Sequence, residues 1–555
     1  MTGLIGRAAL AALTASAAAA APARADAPAE RVDRIMAAHA RSDGPGCAVG
    51  VSRDGELLLA RGYGLANLDH RVPNDPGTVF DVGSVSKQFT AAALLLLAEE
   101  GRLSLDDPVR RHIPELPDYG VPLTLRHLIH HTGGVRDYLE LMELAGMRAH
   151  DAYGLRDLLE LITRQRELNF PPGREHLYSN SGYILLAVVA ERAAGEPLGA
   201  LLESRIFGPL GMGHTFVYDD PTRVIPGRAT GYAPRLGGGY AVDHYYNFAV
   251  PGDGQVYTTL GDLALWDRAF SRGGVGSPGF MQRLLEPARL DDGSRLDYAF
   301  GLRLGEHRGL ATIRHGGSWG GFRAHFLRYP GPDLAVSCLC NHAQAEPEEL
   351  AEAVAEVFLG DLMRPAAEAA SFQPSIVALE ALSGTFREQR TGRTWQLRLR
   401  RGALHARALD GTPERRLTPL APGRFEIRGD ESSQIRFEAG RDGRRQVQLR
   451  RDGQEETLLE EVESVRPGLA ELAAYAGSYR SDELAVTWTL APAGSGLEVE
   501  MSRRGAGFAL WPAVPDVFVS EDRVVEFERD VSGAVSGFRV HAGRVRNLRF
   551  TRDAS

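Results

Sequence analysis

The chain has 555 residues, 43% hydrophobic and 24% charged, with a formal net charge of −9. That length exceeds what one hydrophobic core organises, so two to four domains are expected, and the composition excludes a disordered or fibrous chain. The acidic balance argues against a nucleic-acid partner, and no stretch approaches the roughly 20 apolar residues of a membrane span.

At the N-terminus, "MTGLIGR" supplies a basic n-region, "AALAALTASAAAAA" an apolar h-region, and "ARA" before Asp26 a small-residue cleavage site. Residues 1–25 therefore read as a cleaved signal peptide, and the mature protein as periplasmic or secreted. Residues 26–365 follow as one long domain mixing apolar helices with short β-rich runs. "CAVGVSRDGELLLARGYG" reads as a β-hairpin turned at Asp54-Gly55. Cys47 lies in this hairpin; Cys338 and Cys340 share the run "LAVSCLC". All three are taken as buried, inert thiols, although export leaves a bridge open.

"DVGSVSKQFT" holds Lys87, the only lysine in a chain with 63 Lys and Arg residues. Arginine stays protonated in proteins, whereas burial brings a lysine close to neutrality. A solitary lysine marks a place where deprotonation is needed. "SVSKQFTAAALLLLAEEG" has a capping-type Ser84, an apolar run and a terminating Gly101, which together predict a helix. Ser84 and Lys87 are three apart and share one face of its first turn. There the helix dipole favours an alkoxide, and the amine is placed to take the serine proton.

His127, His130 and His131 have helix-borne ligand spacing, but no acidic residue lies between them as in a zinc-binding H-E-x-x-H, and they read as structural. "DPGTVFDVGS" lacks a phosphate-binding glycine pattern, so neither metal nor nucleotide is expected. In "PPGREHLYSNSGYILLAVVAERAAG", Tyr178, Ser179 and Asn180 fall in a loop ahead of another apolar helix. A phenol there can pass protons, and an amide can hold a substrate carbonyl. "ATIRHGG", "GFRAHFLRYP" and "LAVSCLCN" predict three strands. His315 is expected at the end of the first, where Gly316 and Gly317 would let a substrate backbone approach. The backbone N–H of Ser318 would pair with that of Ser84 as an oxyanion hole.

"EELAEAVAEVFLGDLM" predicts a closing helix, and "RPAAEAASFQP" a linker. From about residue 373 the pattern becomes short alternating runs with Gly, Asp and Pro turns, which is antiparallel β. Arginines between 387 and 453 are interleaved with acids, as on solvated strand faces. The region repeats: "SGTFR" at 383 matches "AGSYR" at 476, "TWQL" at 394 matches "TWTL" at 487, and Phe425 matches Phe518, all offset by 93. "RFEAGRDG" at 436 matches "EFERDVSG" at 526 after one small gap. Two copies of one β module, 373–465 and 468–555, are expected, each closed as a small barrel or sandwich.

Ser-x-x-Lys, then Tyr-Ser-Asn, then His-Gly-Gly in this order resembles the penicillin-recognising serine hydrolases: class C β-lactamases, D,D-peptidases, D-aminopeptidases and related esterases. The resemblance covers residues 31 to about 365 and extends to "LRHLIHHTGGVRDY" and "DGQVYTTLGDLALW". It implies an α/β fold, an antiparallel sheet flanked by helices, with an all-α insertion over roughly 100–200. It makes Ser84 the nucleophile, Lys87 its base and Tyr178 the shuttle to the leaving group. Asn180 becomes a substrate clamp and His315 part of the pocket floor, with Gly317 and Ser318 beside it. β-Lactamases and carboxypeptidases usually carry lysine where His315 stands, and a largely neutral imidazole holds a carboxylate less well. The two β modules resemble the paired barrels of D-aminopeptidases, in which a loop of the last barrel reaches the active site; here residues 500–523, including "SRRGAGFALWP", are the matching candidate.

The expected protein is an exported, cofactor-free serine hydrolase acting through an acyl-enzyme on a small or short-peptide substrate, in the first place as a D-aminopeptidase-like peptidase or amidase. A related esterase or β-lactamase is the alternative reading. A catalytically weak protein that senses cell-wall fragments or β-lactams is the alternative of another class. Oligomeric state is not encoded in any of these signals.

Overall fold

The computed structural model describes residues 27–148, 151–365, 372–388, 393–409, 414–427, 430–439, 444–451, 457–463, 465–503 and 507–553. The expected signal peptide and most of the 364–374 linker lie outside the described residues.

Six strands form the central sheet: β1 (Cys47–Arg53), β2 (Glu56–Tyr63), β3 (Arg303–His307), β4 (Leu310–Trp319), β5 (Phe322–Tyr329) and β6 (Leu334–Cys340). Their order is β3-β4-β5-β6-β1-β2, and each neighbouring pair is antiparallel. Asp54 and Gly55 turn the β1–β2 hairpin with φ of 52° and 76°, the left-handed pair that a two-residue turn requires. The helices that cover this sheet or build the domain beside it include α1 (Pro28–Ile35), α2 (Lys87–Glu99), α3 (Tyr138–Leu144), α4 (Asn180–Ala194), α5 (Leu260–Arg272) and α6 (Pro347–Leu359).

Strand β6 is apolar throughout because both of its faces are covered. Leu334, Val336, Cys338 and Cys340 join a core with α1 and α6, while Ala335 and Leu339 join the larger core containing α2 and α5. Helix α2 is buried from Lys87 to Leu97, which explains why its sequence has no polar face. It ends at Gly101 in the left-handed conformation (φ 71°), as its sequence predicts. Between α2 and residue 210 the described residues carry helices and no strand, the expected all-α insertion.

Two closed eight-stranded antiparallel barrels follow: β7–β14, from Gly384–Glu388 to Thr457–Val462, and β15–β22, from Gly477–Ser481 to Val545–Arg552. The sequence repeat survives as strand register. Phe386 pairs with Trp395 in the first barrel, and Tyr479 pairs with Trp488 in the second. The second barrel packs on the first domain, where Trp488 Nε1 donates to the Leu144 carbonyl at 3.2 Å. The first barrel reaches the second through Arg407, whose Nη1 donates to the Ser520 carbonyl at 3.1 Å. No helix among the described residues is long and apolar enough to cross a membrane.

Two sequence expectations need correction. Cys47 and Cys340 are not thiols but a disulfide, because they are direct cross-strand partners in the β1–β6 register. A separation of 293 residues hides that pairing from the sequence. Only Cys338 remains a buried thiol, its pKa pushed up to about 12 by burial. His315 does not end its strand: β4 continues through Gly316, Gly317 and Ser318 to Trp319, paired with β5 throughout. Cys47→Ala/Cys340→Ala is expected to lose about 2–5 kcal/mol of stability, since the bridge closes a long loop in the unfolded chain. Urea unfolding with and without reductant measures this, and a change below about 1 kcal/mol would contradict it.

Candidate active site

Ser84 sits in a 3-10 turn, Gly83–Ser86, which runs directly into α2. It does not cap the helix with its side chain, as its position had implied, and its hydroxyl is left available. The turn presses against β4. A Cβ on Gly83 would lie 2.7 Å from the Ser318 nitrogen, and one on Gly317 would lie 1.9 Å from the Val82 carbonyl oxygen. Gly317 therefore serves contact between strand and turn, and through that contact Ser84 and Ser318 come to line one cavity. Asp81 clips the turn by accepting from the Gly83 N–H at 2.8 Å.

Lys87, at the first position of α2, is completely buried. Its Nζ donates to Ser84 Oγ at 3.0 Å, Asn180 Oδ1 at 2.8 Å and the Asp253 carbonyl at 2.6 Å. It lies 4.9 Å from the centre of the Tyr178 ring. Burial pulls its pKa down to about 8; the Asp253 and Asp137 carboxylates oppose that shift and Arg544 adds to it.

The Tyr178-Ser179-Asn180 loop enters α4, with the Ser179 hydroxyl accepting from the Gly182 N–H. Asn180 is held from behind, where its N–H donates to Asp137 Oδ2 at 2.5 Å. The Tyr178 hydroxyl is buried close enough to Ser84 for that side chain to act on its acidity, yet it makes no hydrogen bond of ordinary length among the described residues. Burial raises its pKa well above that of a free phenol. Two histidines of the 127–131 stretch, His127 and His131, serve this framework. His127 Nδ1 accepts from the Thr124 N–H at 3.2 Å. His131 Nδ1 accepts from the Ser179 N–H at 3.1 Å, with its ring 4.1 Å from that of Tyr178.

His315 lies deeper. Its Nδ1 is 2.6 Å from the Gly316 carbonyl, which only accepts, so Nδ1 carries the proton and Nε2 accepts from the Tyr298 hydroxyl at 3.1 Å. Burial, reinforced by Lys87, pulls its pKa down to about 3, and the ring is neutral.

The cavity beside Ser84 is narrow, about 30 Å3 open to the centre of a water molecule. Of the residues expected from sequence, Ser84, Asn180 and Ser318 form its wall; Lys87, Tyr178, His315 and Gly317 are not part of it, and Lys87 reaches it through its bonds to Ser84 and Asn180. Asp253, Tyr138, Phe248 and Trp319 also wall it, and none of them was singled out from sequence. Tyr138 and Asp253 do fall in the two stretches that carried the family resemblance, which was the only available signal.

The tip of the second-barrel loop expected to reach this region lies outside the described residues. Met501 and Arg503 pack on Gly146, and 504–506 lie outside the described residues. Among the described residues, the β21–β22 turn, between Val535–Ala542 and Val545–Arg552, approaches the Lys87 cluster. Arg544 from that turn pairs with Asp137 at 3.3 Å and Glu140 at 2.8 Å, and its guanidinium lies 5.8 Å from the centre of the Tyr178 ring.

Residues 29–359 match the protein-family model described as Beta-lactamase. Over 538 residues, 93% of this chain and 98% of the relative, the chain is 30% identical to a D-aminopeptidase of Gluconobacter oxydans (strain 621H). Among solved structures it is similar to a penicillin binding protein from Bacillus halodurans: 28% identity, TM-score 0.50, covering 59% of this chain and 98% of that one. A D-amino acid amidase from Ochrobactrum anthropi SV3 shares the fold at 22% identity and TM-score 0.51, covering 60% of this chain and 99% of that one.

Proposed function

The chain belongs to the Beta-lactamase family of serine hydrolases, and from that membership we propose that it is an exported D-aminopeptidase-like amidase working through an acyl-enzyme on Ser84. The observation that carries this reading is the completely buried Lys87 amine, hydrogen-bonded to the Ser84 hydroxyl and brought near neutrality by its surroundings. In its neutral form Lys87 takes the Ser84 proton, and the alkoxide adds to the substrate carbonyl. The oxyanion rests on the backbone N–H groups of Ser84 and Ser318. The C–N bond then breaks as Tyr178 hands a proton to the departing amine and regains one from Lys87. Water adds to the ester, its proton passes back through the same groups to Ser84 Oγ, and the acid leaves. Asn180 clamps the substrate amide. Three supports favour an amide of a D-amino acid over a β-lactam: the whole-length similarity to a D-aminopeptidase, the neutral His315, and an acidic cavity wall that repels a substrate carboxylate. The Cys47–Cys340 bridge suits an oxidising compartment, in agreement with the export signal.

A panel of D- and L-amino-acid anilides, a short nitrophenyl ester and a chromogenic cephalosporin tests the proposal in wild type and Ser84→Ala. Repeated turnover is expected, fastest on D-anilides and abolished in the variant. Unchanged activity in Ser84→Ala would overturn the mechanism, a cephalosporin preference would overturn the substrate class, and a single stoichiometric burst would identify a sensor.

The pH dependence has a definite sign. Lys87 must lose its proton to act, so kcat/KM is expected to rise with pH through about 8. Arg544→Ala removes a positive charge that favours the neutral amine and leaves Asp137 and Glu140 uncompensated. The rising limb is then expected to move to higher pH, and a pH–rate profile that stays in place would contradict the role given to this barrel residue.

A further inference from the structure

We propose that the Asp253 carboxylate receives the free α-ammonium of the substrate, so that an unblocked amino terminus is what this site selects. The inference rests on the reading that the cavity beside Ser84 holds the acyl part of the substrate. Asp253 supplies the one carboxylate among the described residues of the cavity wall, and no cationic side chain lines it. Its place relative to the nucleophile is pinned, because its own carbonyl and Ser84 Oγ accept from the same ammonium, that of Lys87, at 2.6 and 3.0 Å. Its Oδ2 accepts from the Tyr138 hydroxyl at 3.2 Å, and no other side chain bonds the carboxylate among the described residues. In an amino-acid amide the α-nitrogen lies only about 2.5 Å from the carbonyl carbon. A carbonyl presented to Ser84 therefore brings the ammonium into this same hydrogen-bonded cluster.

The cost of the present arrangement points the same way. Asp253 is buried, and burial raises its pKa to about 6 even though Lys87 opposes the shift. A substrate ammonium would offset that burial, whereas a blocked amine would leave the carboxylate facing an apolar acyl group and a substrate carboxylate would be repelled. The rest of the wall suits an apolar side chain: the Phe248 ring is 4.9 Å from Trp319 and stacked on Tyr138 at 6.1 Å. Lys87, Asp137 and Tyr138 face the Asp253 carboxylate, with Asp81 across the nucleophile turn and Arg544 beyond Asp137.

The test uses the full-length enzyme and reads inhibition of nitrophenyl ester hydrolysis by D-phenylalanine amide and by its N-acetyl derivative. The free amine is expected to compete at least about 10-fold more tightly, as a charge-assisted hydrogen bond allows, and in Asp253→Asn the two constants should converge. Their ratio within one variant cancels any change in ester turnover. Should the variant fail to fold, the wild-type ratio is expected to fall towards unity as pH drops through about 6 and the carboxylate is protonated. Equal inhibition by the two compounds, a preference that survives in Asp253→Asn, or a ratio constant between about pH 7 and pH 5 would overturn the proposal. The ratio reports binding alone: if it holds but the D-amide is never hydrolysed, the ammonium site stands and the aminopeptidase reading falls.

Discussion

Lys87→Arg is expected to slow acylation by about 10²–10⁴-fold, the range that general base catalysis contributes, and to abolish the rise of rate with pH through about 8. A guanidinium retains positive charge and donors for Asn180 and the Asp253 carbonyl, but it cannot release a proton to become a base. The substitution therefore separates what the charge does for packing from what deprotonation does for chemistry. Single-turnover acylation across pH 6–10 measures both effects. Lys87→Ala with small primary amines in solution is the companion experiment, since partial rescue requires an amine and not merely a filled space. Acylation that is unchanged in Lys87→Arg would remove the basis of the mechanism.

Arg136→Ala is expected to cost about 3–5 kcal/mol, because it breaks a buried ion pair and leaves the partner charge uncompensated. The Arg136 side chain is fully shielded from solvent, and Glu483 from the second barrel is 3.0 Å from its Nη1. Nη1 also donates to Gln165 Oε1 at 3.1 Å, Nε to the Arg546 carbonyl at 3.0 Å, and Nη2 to the Asn547 carbonyl at 2.9 Å. One side chain thus fastens the first domain to the turn that carries Arg544. Its loss should lower the denaturation midpoint and separate barrel unfolding from that of the first domain. It should also move the acid limb of the pH–rate profile in the same direction as Arg544→Ala. A stability loss below about 1 kcal/mol would show that the docking does not depend on this residue.

What could be read in the sequence was local or repeated. Turn chemistry at Asp54-Gly55, the apolar runs of α2 and α4, the alternation of the barrel strands and the 93-residue offset each depend on neighbours a few residues away, or on a pattern met twice. The Ser84–Lys87 pair was legible for the same reason: three residues apart on a helical turn, they meet whatever the rest of the chain does. Gly317 was recognised as a place of close approach, but its close neighbour, the Val82 carbonyl, belongs to another element and was not legible in the sequence.

The sequence by itself determined that there is an α/β domain followed by two copies of a β barrel, and that a lone lysine stands beside a serine on a buried helix. Only the tertiary structure decided that Cys47 bonds Cys340, that His315 is locked neutral against Tyr298, that Asp253 walls the cavity, and that Arg544 reaches the Lys87 cluster from the far end of the chain. The physical reason is range. Periodicity and turn preference report on backbone conformation within a few residues, whereas burial, and the pKa shifts that come with it, arise from groups hundreds of residues apart that meet only when the sheet, the helices and the second barrel close around one cavity.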